Sequence, residues 1–582
     1  MRKLFKYMKP YWYIAIFSPL FMIAEVLVDL SLPTIMSDIV NQSIYAGSVS
    51  EGMGIVADYG IKMMVLVVIG GITGVGAAGF ASAASQNFGN DLRRDAFSHV
   101  MALSPEQTDR FTVGSLVTRM TNDVTMVQNF MASALRTFFR SPIMFVGGIV
   151  MALSLNIRFG IVIAVSLPIQ LLIVFLVMRK IRPMFEEVQD RLDDVNSVVQ
   201  ENISGARVVK AYVREEHETG RFDKANGNLF SVTLRVQYIM ALLSPLMMVV
   251  MNLAVIAVIL VGGIEVSHGA IEVGEIMAVI QYIMQILNSV MMISMMFQTI
   301  SRAQASAKRI NEVLDCVPVI SDGTYNGIGK EEKRGHVEFR NVSFRYPDTA
   351  GEPVLHDINL DIRSGENLAI LGATGSGKST LVSLIPRFYN PSEGEIFIDG
   401  VNVKDYTLDA LRSKISFVLQ KSELFSGTVA ENLRWGDENA DNEELREAAK
   451  IAQADEFITG FAAGYETVVA EKGASLSGGQ KQRLAIARAL LKKPDVLIFD
   501  DSMSALDLAT SAKLQNALRR QKGSLTVITI AQRVASVMNA DRILVLDGGT
   551  IAAEGNHETL MKTSEIYRDI YDSQLKRGEE IE

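Results

Sequence analysis

Gly372-Ala-Thr-Gly-Ser-Gly-Lys-Ser379 stands directly behind the apolar run Leu368 to Leu371 and directly ahead of Thr380 to Leu384, which has a helical pattern. Glycines at this spacing let backbone N–H groups close around phosphate oxygens where a Cβ would clash, and the N-terminus of the following helix adds positive potential. Lys378 at the end of the loop suits the β/γ-phosphate charge, and the Ser379 hydroxyl suits Mg2+. A plain glycine-rich turn explains neither the lysine-serine ending nor the strand-loop-helix setting. Gly372, Thr374, Gly375, Ser376, Gly377, Lys378, Ser379 and Thr380 are therefore candidate contacts for ATP, with Mg2+ as its companion.

A second apolar strand, Val496 to Phe499, ends in Asp500, which puts a carboxylate at the C-terminal edge of a parallel sheet, where a Mg2+ partner belongs. Between the two strands lies Leu476-Ser-Gly-Gly-Gln480, followed by good helix formers from Lys481 to Leu491. Upstream, His336 to Tyr346 is β-rich, with Val342, Phe344 and Tyr346 in the two-residue period of a strand. Residues 336–570 thus read as one α/β domain built on the phosphate loop. A linker over 311–335 precedes it, and a polar tail over 571–582 follows it.

The rest of the chain is of another kind. With 582 residues, 49% of them hydrophobic, the protein is too long for one domain and too apolar for an ordinary soluble enzyme. Crossing about 30 Å of hydrocarbon takes roughly 20 mainly apolar residues in a helix that satisfies its own backbone. Six segments qualify, near 12–36, 58–84, 133–155, 159–180, 239–263 and 273–299, so residues 1–310 are expected to form a six-span domain in the lipid bilayer. The stretches 41–57 and 264–272 hold no Lys or Arg, whereas the N-terminus (Arg2, Lys3, Lys6, Lys9) and the long connections 85–132 and 181–238 contain many, which by the positive-inside bias places both ends of the bundle and the following domain in the cytoplasm. Those connections read as helical, so the second to fifth spans should continue below the membrane as stalks, turning near Phe111 to Leu116 and near Asn202 to Ala206. Met1 to Pro10 is basic without a small-residue cleavage site and reads as an interfacial segment.

A single cysteine, Cys316, excludes an intrachain disulfide, and no Cys/His cluster has metal-ligand spacing. The net charge of −9 and the lack of a Lys/Arg-dense block argue against nucleic acid as a partner. Gly70, Gly74 and Ala78 put small residues on one face of the second span, a packing device. Glu25 and Asp29 in the first span should face the bundle interior or a wet cavity, where they either hydrogen-bond structurally or attract a cationic cargo. Met240, Met247, Met248 and Met251, then Met277, Met284, Met291, Met292, Met295 and Met296, enrich the last two spans in flexible thioethers, with Gln281, Gln285 and Asn288 among them. Such a stripe serves either as packing or as an adaptable surface for amphipathic cargo.

Leu476 to Gln480 resembles the signature sequence of ATP-binding cassette (ABC) proteins, and the phosphate loop, the signature and the second carboxylate strand occur in that family's order. With six spans and long cytoplasmic loops ahead of them, nearly the whole chain resembles an exporter-type half-transporter. The resemblance implies a six-helix transmembrane domain followed by a P-loop cassette with an antiparallel β subdomain and a helical signature subdomain. It implies that Tyr346 stacks on adenine, that Gln420 joins Ser379 and Asp500 at Mg2+, that Gln480 and Asp507 lie at the nucleotide, and that Glu471 to Gly473 form a contact loop. It also implies head-to-tail pairing of two cassettes, so that Ser477, Gly478 and Gly479 close on a partner's ATP.

Two positions depart from the family's pattern. Asp501 stands where a glutamate normally orients the attacking water, and a carboxylate one methylene shorter falls about 1 Å short, a misplacement that can cost ~10²-fold in rate. Gln532 stands where the family has its switch histidine, and an amide can donate to a phosphate but cannot become cationic. The expectation is a slow, degenerate ATP site at Asp501 and Gln532, in an obligate heterodimer whose second, different half-transporter subunit supplies a competent site. Multidrug-type export of amphipathic or lipophilic compounds follows from the architecture and from the lack of a peptidase-like domain ahead of the first span. Export of a dedicated lipid or peptide, and an ATP-gated channel or regulator, are the competing readings; Asp501 and Gln532 as tolerated variants in a homodimer would be the plain alternative.

Overall fold

Long apolar runs give the first half of the chain its helices, which continue through internal prolines such as Pro19, Pro142 and Pro245. The computed structural model describes residues 1–44, 46–327, 333–346, 351–520 and 525–579; residues 328–332 of the expected linker and 580–582 of the expected tail lie outside them. Among the described residues six helices are long and apolar enough to cross a membrane. A 3-10 helix, Arg2–Tyr11, leads into α1 (Trp12–Ile44) and α2 (Val49–Ala102). Two short helices, α3 (Pro105–Phe111) and α4 (Val113–Thr118), connect to α5 (Val124–Leu155) through a π-helical turn, Arg119–Asp123. Then come α6 (Phe159–Ser204), α7 (Ala206–Ala211), α8 (Glu215–Ser267) and α9 (Val273–Leu314). Each expected span falls within one of these helices. With 54, 46 and 53 residues, α2, α6 and α8 are more than twice the ~20 that hydrocarbon requires, long enough to extend beyond a span, whereas α5, the third span, has 32.

The chain divides into two compact units. The first comprises Met1–Met101 and Val113–Cys316, the second Ala102–Thr112 and Val317–Glu582. In the first, α5 packs on α9, α6 lies along α8, and α1 packs against both α5 and α9. Leu4 and Tyr7 of the N-terminal 3-10 helix are buried against Phe88 and Leu92, with Lys3, Lys6 and Lys9 exposed. Gly70 and Gly74 let α2 approach Val28 and Glu25 of α1, where a Cβ would come within 3.1 Å of either, so the small-residue face is a packing face. The short α3 groups with the second unit, where the Gln107 amide donates to the Val317 carbonyl at 2.8 Å and accepts from the Val319 N–H at 3.2 Å.

In the second unit, β1 (Val337–Phe344), β2 (Leu355–Ile362), β4 (Glu393–Ile398) and β5 (Val401–Asn402) form an antiparallel sheet in the order β2-β1-β4-β5. A six-stranded sheet holds β3 (Asn367–Leu371), β6 (Ile415–Val418), β9 (Val496–Asp500), β10 (Thr526–Ile530), β11 (Arg542–Asp547) and β12 (Thr550–Gly555), in the order β12-β11-β3-β10-β9-β6. All but β12 run parallel to their neighbours. Every residue of β9 and β10 is buried, as a sheet covered on both faces demands. A two-residue pair, β7 (Gly427–Thr428) and β8 (Val468–Val469), completes the strands. The helices are α10 (Lys378–Ser383), α11 (Leu408–Ser413), α12 (Val429–Arg434), α13 (Asn442–Ile451), α14 (Asp455–Thr459), α15 (Gly478–Leu491), α16 (Leu508–Arg520), α17 (His557–Thr563) and α18 (Glu565–Glu579).

Register decides where chemistry can gather. Ile530 of β10 lies opposite Ile370 of β3 on one side and Asp500 of β9 on the other, so three strands end level. The residues that follow them, the phosphate loop, Asp501 and Gln532, are thereby delivered to one edge of the sheet. The polar tail expected from residue 571 is instead the second half of α18, whose Tyr567 is fully buried.

Candidate functional site

Three glycines of the phosphate loop have left-handed backbone, Gly372 at φ +151, Gly375 at +86 and Gly377 at +94, and a Cβ on Gly372 would stand 2.1 Å from the Leu546 carbonyl. This is the reason the loop needs glycine and was readable. Lys378 opens α10 and folds over the loop, donating to the carbonyls of Gly372 and Ala373 at 3.0 and 2.7 Å. Burial pulls the Lys378 ammonium below its ordinary range, against the opposing charges of Asp501 and Asp500. Ser379 Oγ donates to Asp500 Oδ1 at 2.7 Å, so the two expected Mg2+ ligands are adjacent. Burial raises the Asp500 carboxyl, the Ser379 bond opposes that, and the Asp501 charge adds to it. Tyr346 is joined to the loop's helix by its OH, 3.0 Å from Thr380 Oγ1, and its ring stands edge-on to Tyr389.

Asp501 follows β9 with left-handed backbone at φ +50, a conformation that an aspartate adopts at some cost. Its Oδ2 accepts two amide N–H groups, from Gln420 at 3.0 Å and from Gln532 at 2.6 Å. The three polar side chains that the sequence singled out from three separate strand ends thus meet at one oxygen. Asp501 Oδ1, Ser376 Oγ and Ser502 Oγ are buried with no hydrogen-bond partner among the described residues. Orphaned polar atoms cost free energy unless a ligand or water satisfies them, so those of Ser376 in the loop and of Asp501 beside it fit a bound nucleotide with its cation. Ser379 and Asp500, with Gln420 beside Asp501, are the residues that would hold Mg2+.

The signature forms a separate group whose capping bonds close on themselves. Ser477 caps α15, its Oγ accepting from the Gln480 N–H at 3.3 Å while the Gln480 side chain accepts from the Ser477 N–H at 2.9 Å. Ser477 and Gly478 are exposed, and a Cβ on Gly479 would lie 3.3 Å from the Ala505 carbonyl. Lys481 Nζ donates to the Lys472 carbonyl at 2.9 Å and so ties the Glu471–Gly473 loop to the signature helix. Asp507 caps α16 through the N–H and hydroxyl of Thr510, at 2.9 and 2.7 Å, and these bonds hold its carboxyl below the ordinary range.

In the membrane unit, Glu25 and Asp29 of α1 are both paired with Arg140 of α5, the latter at 2.9 Å. Arg140 was not foreseen, although arginines inside one span, Arg136 and Arg140, and two acids inside another were a readable signal of pairing. Of the methionines, Met277, Met284, Met292 and Met295 are exposed on α9, and Gln281 and Asn288 are exposed between them. At 100° per residue these six side chains fall on one stripe, opposite the buried Ala278, Tyr282, Ile286 and Val290. Met247 of α8 is buried and Met248 is exposed.

A nucleotide cradle at the edge of a parallel sheet, joined in one chain to a six-span bundle, defines an ATP-driven membrane transporter. The family model for the ABC transporter transmembrane region matches residues 15–290, and that for the ABC transporter matches residues 355–504. The chain is 38% identical over 577 residues, 99% of both chains, to YfiB of Bacillus subtilis (strain 168), an uncharacterized ABC transporter ATP-binding protein. It is 32% identical over 573 residues, 98% of both chains, to YgaD of the same organism, provisionally named a multidrug export ATP-binding/permease protein. The solved structure of a bacterial Atm1-family ABC exporter with ATP bound has the same fold, with a TM-score of 0.79 over 97% of this chain and 98% of that one at 24% identity. The chain belongs to the ABC transporter family, as an exporter-type half-transporter. It is a multi-pass plasma-membrane protein with its cassette in the cytoplasm, and its ATP hydrolysis drives transport.

Proposed function

We propose that this chain is the degenerate-site subunit of a heterodimeric exporter of amphipathic compounds, binding ATP with Mg2+ at its own phosphate loop and turning it over slowly. The observation that carries the reading is Asp501 Oδ2 held by both Gln420 and Gln532. Two N–H donors take up Oδ2 and fix the carboxylate's orientation, which leaves only Oδ1 to a water, on a side chain already one methylene short. Gln532 adds a donor and no positive charge. The phosphate loop, Lys378 and Thr380 bind the phosphates, Tyr346 packs at the base, and the cation at Ser379, Asp500 and Gln420 offsets phosphate charge. Asp507 and Gln480 take part by fixing the starts of α16 and α15.

Ser477 and Gly478 are exposed on a fully formed helix cap, with Gly479 behind them, which supports their use by another cassette. A chain with a weak base and an intact signature gains most from a partner with the opposite endowment, which is why a different subunit is favoured over a second copy. For cargo, the exposed stripe of thioethers and amides on α9 supports a surface that accepts several apolar shapes. The similarity to a protein named for multidrug export points the same way. The test is ATP turnover by the purified chain alone in lipid, expected to stay far below the roughly ten per second typical of enzymes. Turnover at that rate would contradict the reading.

A further inference from the structure

Gln574, in α18, makes two hydrogen bonds that belong to no motif of the nucleotide site. Its side-chain oxygen accepts from the Val534 N–H at 2.8 Å, and its side-chain nitrogen donates to the Gln532 carbonyl at 2.8 Å. The two bonds straddle Arg533, whose backbone is extended at φ −107 and ψ 125. One amide group therefore serves this loop as a neighbouring strand would, pairing the N–H and C=O on either side of an extended residue. The helix that presents it is anchored: Tyr567, two turns earlier on the same face, is fully buried with Ala531, Val534 and Val537, and its OH lies 2.7 Å from His557 Nδ1. Between β10 and β11 only the short 3-10 helix Val534–Ser536 gives the loop regular structure.

We propose that Gln574 is a positioning residue for the nucleotide site, holding the backbone of Gln532 so that its side-chain amide meets Asp501. The chain of contacts is short and continuous: Gln574 to the backbone of Gln532, then the Gln532 amide to Asp501 Oδ2 at 2.6 Å. With the loop pinned on both sides of Arg533, Gln532 reaches Asp501 without first ordering its backbone. That ordering is a conformational cost that binding would otherwise bear. By reciprocity, nucleotide that engages Gln532 stabilises the docking of α18, so this helix and the phosphate loop report on each other. The inference rests on the reading that Asp501 and Gln532 border the bound phosphates.

The experiment uses the full chain in lipid nanodiscs, with a fluorescent ATP analogue and Mg2+ for affinity and amide hydrogen exchange for the loop. Gln574→Leu, which keeps the side chain's bulk and removes both bonds, is expected to weaken the analogue at least about threefold and to speed exchange at Val534 about tenfold. In a Gln532→Ala background it is expected to weaken the analogue no further, because the side chain it positions is gone. Gln574→Glu, which keeps the acceptor for Val534 and puts a carboxylate against the Gln532 carbonyl, should lose affinity similarly while Val534 stays the better protected; it serves as the second variant should the leucine variant misfold. Unchanged affinity in both variants, or equal weakening with and without the Gln532 side chain, would overturn the proposal. Lys378→Ala tests the underlying reading separately: binding that survives it would place the nucleotide elsewhere, whatever Gln574 does.

Discussion

Replacing Arg140 by leucine should destabilise the membrane unit through the two carboxylates it leaves behind. Arg140 donates to Glu25 and, at 2.9 Å, to Asp29, and the acids are 17% and 29% exposed. A charge at the centre of a span costs about 3 kcal/mol. Partial exposure of both acids, and of Arg140 at 39%, halves what two orphaned charges would cost, leaving a loss of about 2–3 kcal/mol. That is roughly a 30- to 150-fold change in the folded-to-unfolded ratio and a fall of about 5 °C in Tm. Thermal melting of the full chain in nanodiscs reads it. Adding Glu25→Gln and Asp29→Asn to Arg140→Leu removes the orphaned charges and should recover most of the loss. A leucine variant as stable as the parent, or a neutral triple variant no better than the single one, would refute the reasoning.

Lys414 lies 2.7 Å from the fully buried Asp399 and 3.4 Å from Asp495, so Lys414→Met should cost the cassette about 3 kcal/mol, read as an earlier guanidinium midpoint of Trp435 fluorescence. Gly372→Ala should weaken ATP-analogue binding about tenfold or more, because its Cβ would stand 2.1 Å from the Leu546 carbonyl. Gly375→Ala, with nothing within 4 Å of its Cβ, should be milder in the same titration. Ser477→Ala should lower ATP hydrolysis by the co-expressed pair about tenfold or more while leaving this chain's own affinity for the analogue unchanged.

What the sequence made readable is what backbone chemistry dictates. The phosphate loop could be read because only glycine tolerates the conformations at Gly372, Gly375 and Gly377, and the spans because hydrocarbon imposes length and apolarity. The edge that gathers Asp500, Asp501 and Gln532 followed from apolar strands with polar residues at their ends. What escaped were contacts between side chains distant in sequence. Arg140 sits more than a hundred residues from the acids it pairs with. The convergence of Gln420 and Gln532 on one oxygen of Asp501 depends on strand order, which periodicity does not carry. Residues from 571 onward looked like a polar tail because only one face of α18 is apolar, and Gln574 on it bonds to backbone 40 and 42 residues away.

In this reading the chain's own catalytic step is limited by Asp501, one methylene short and held on Oδ2 by two amides. The most direct measurement is ATP turnover by the full chain alone in lipid, comparing the parent with the double variant Asp501→Glu, Gln532→His. A slow parent and a gain of about 10²-fold or more in the double variant are expected. A parent that already turns over briskly, or a double variant no faster than a slow parent, would contradict the reading.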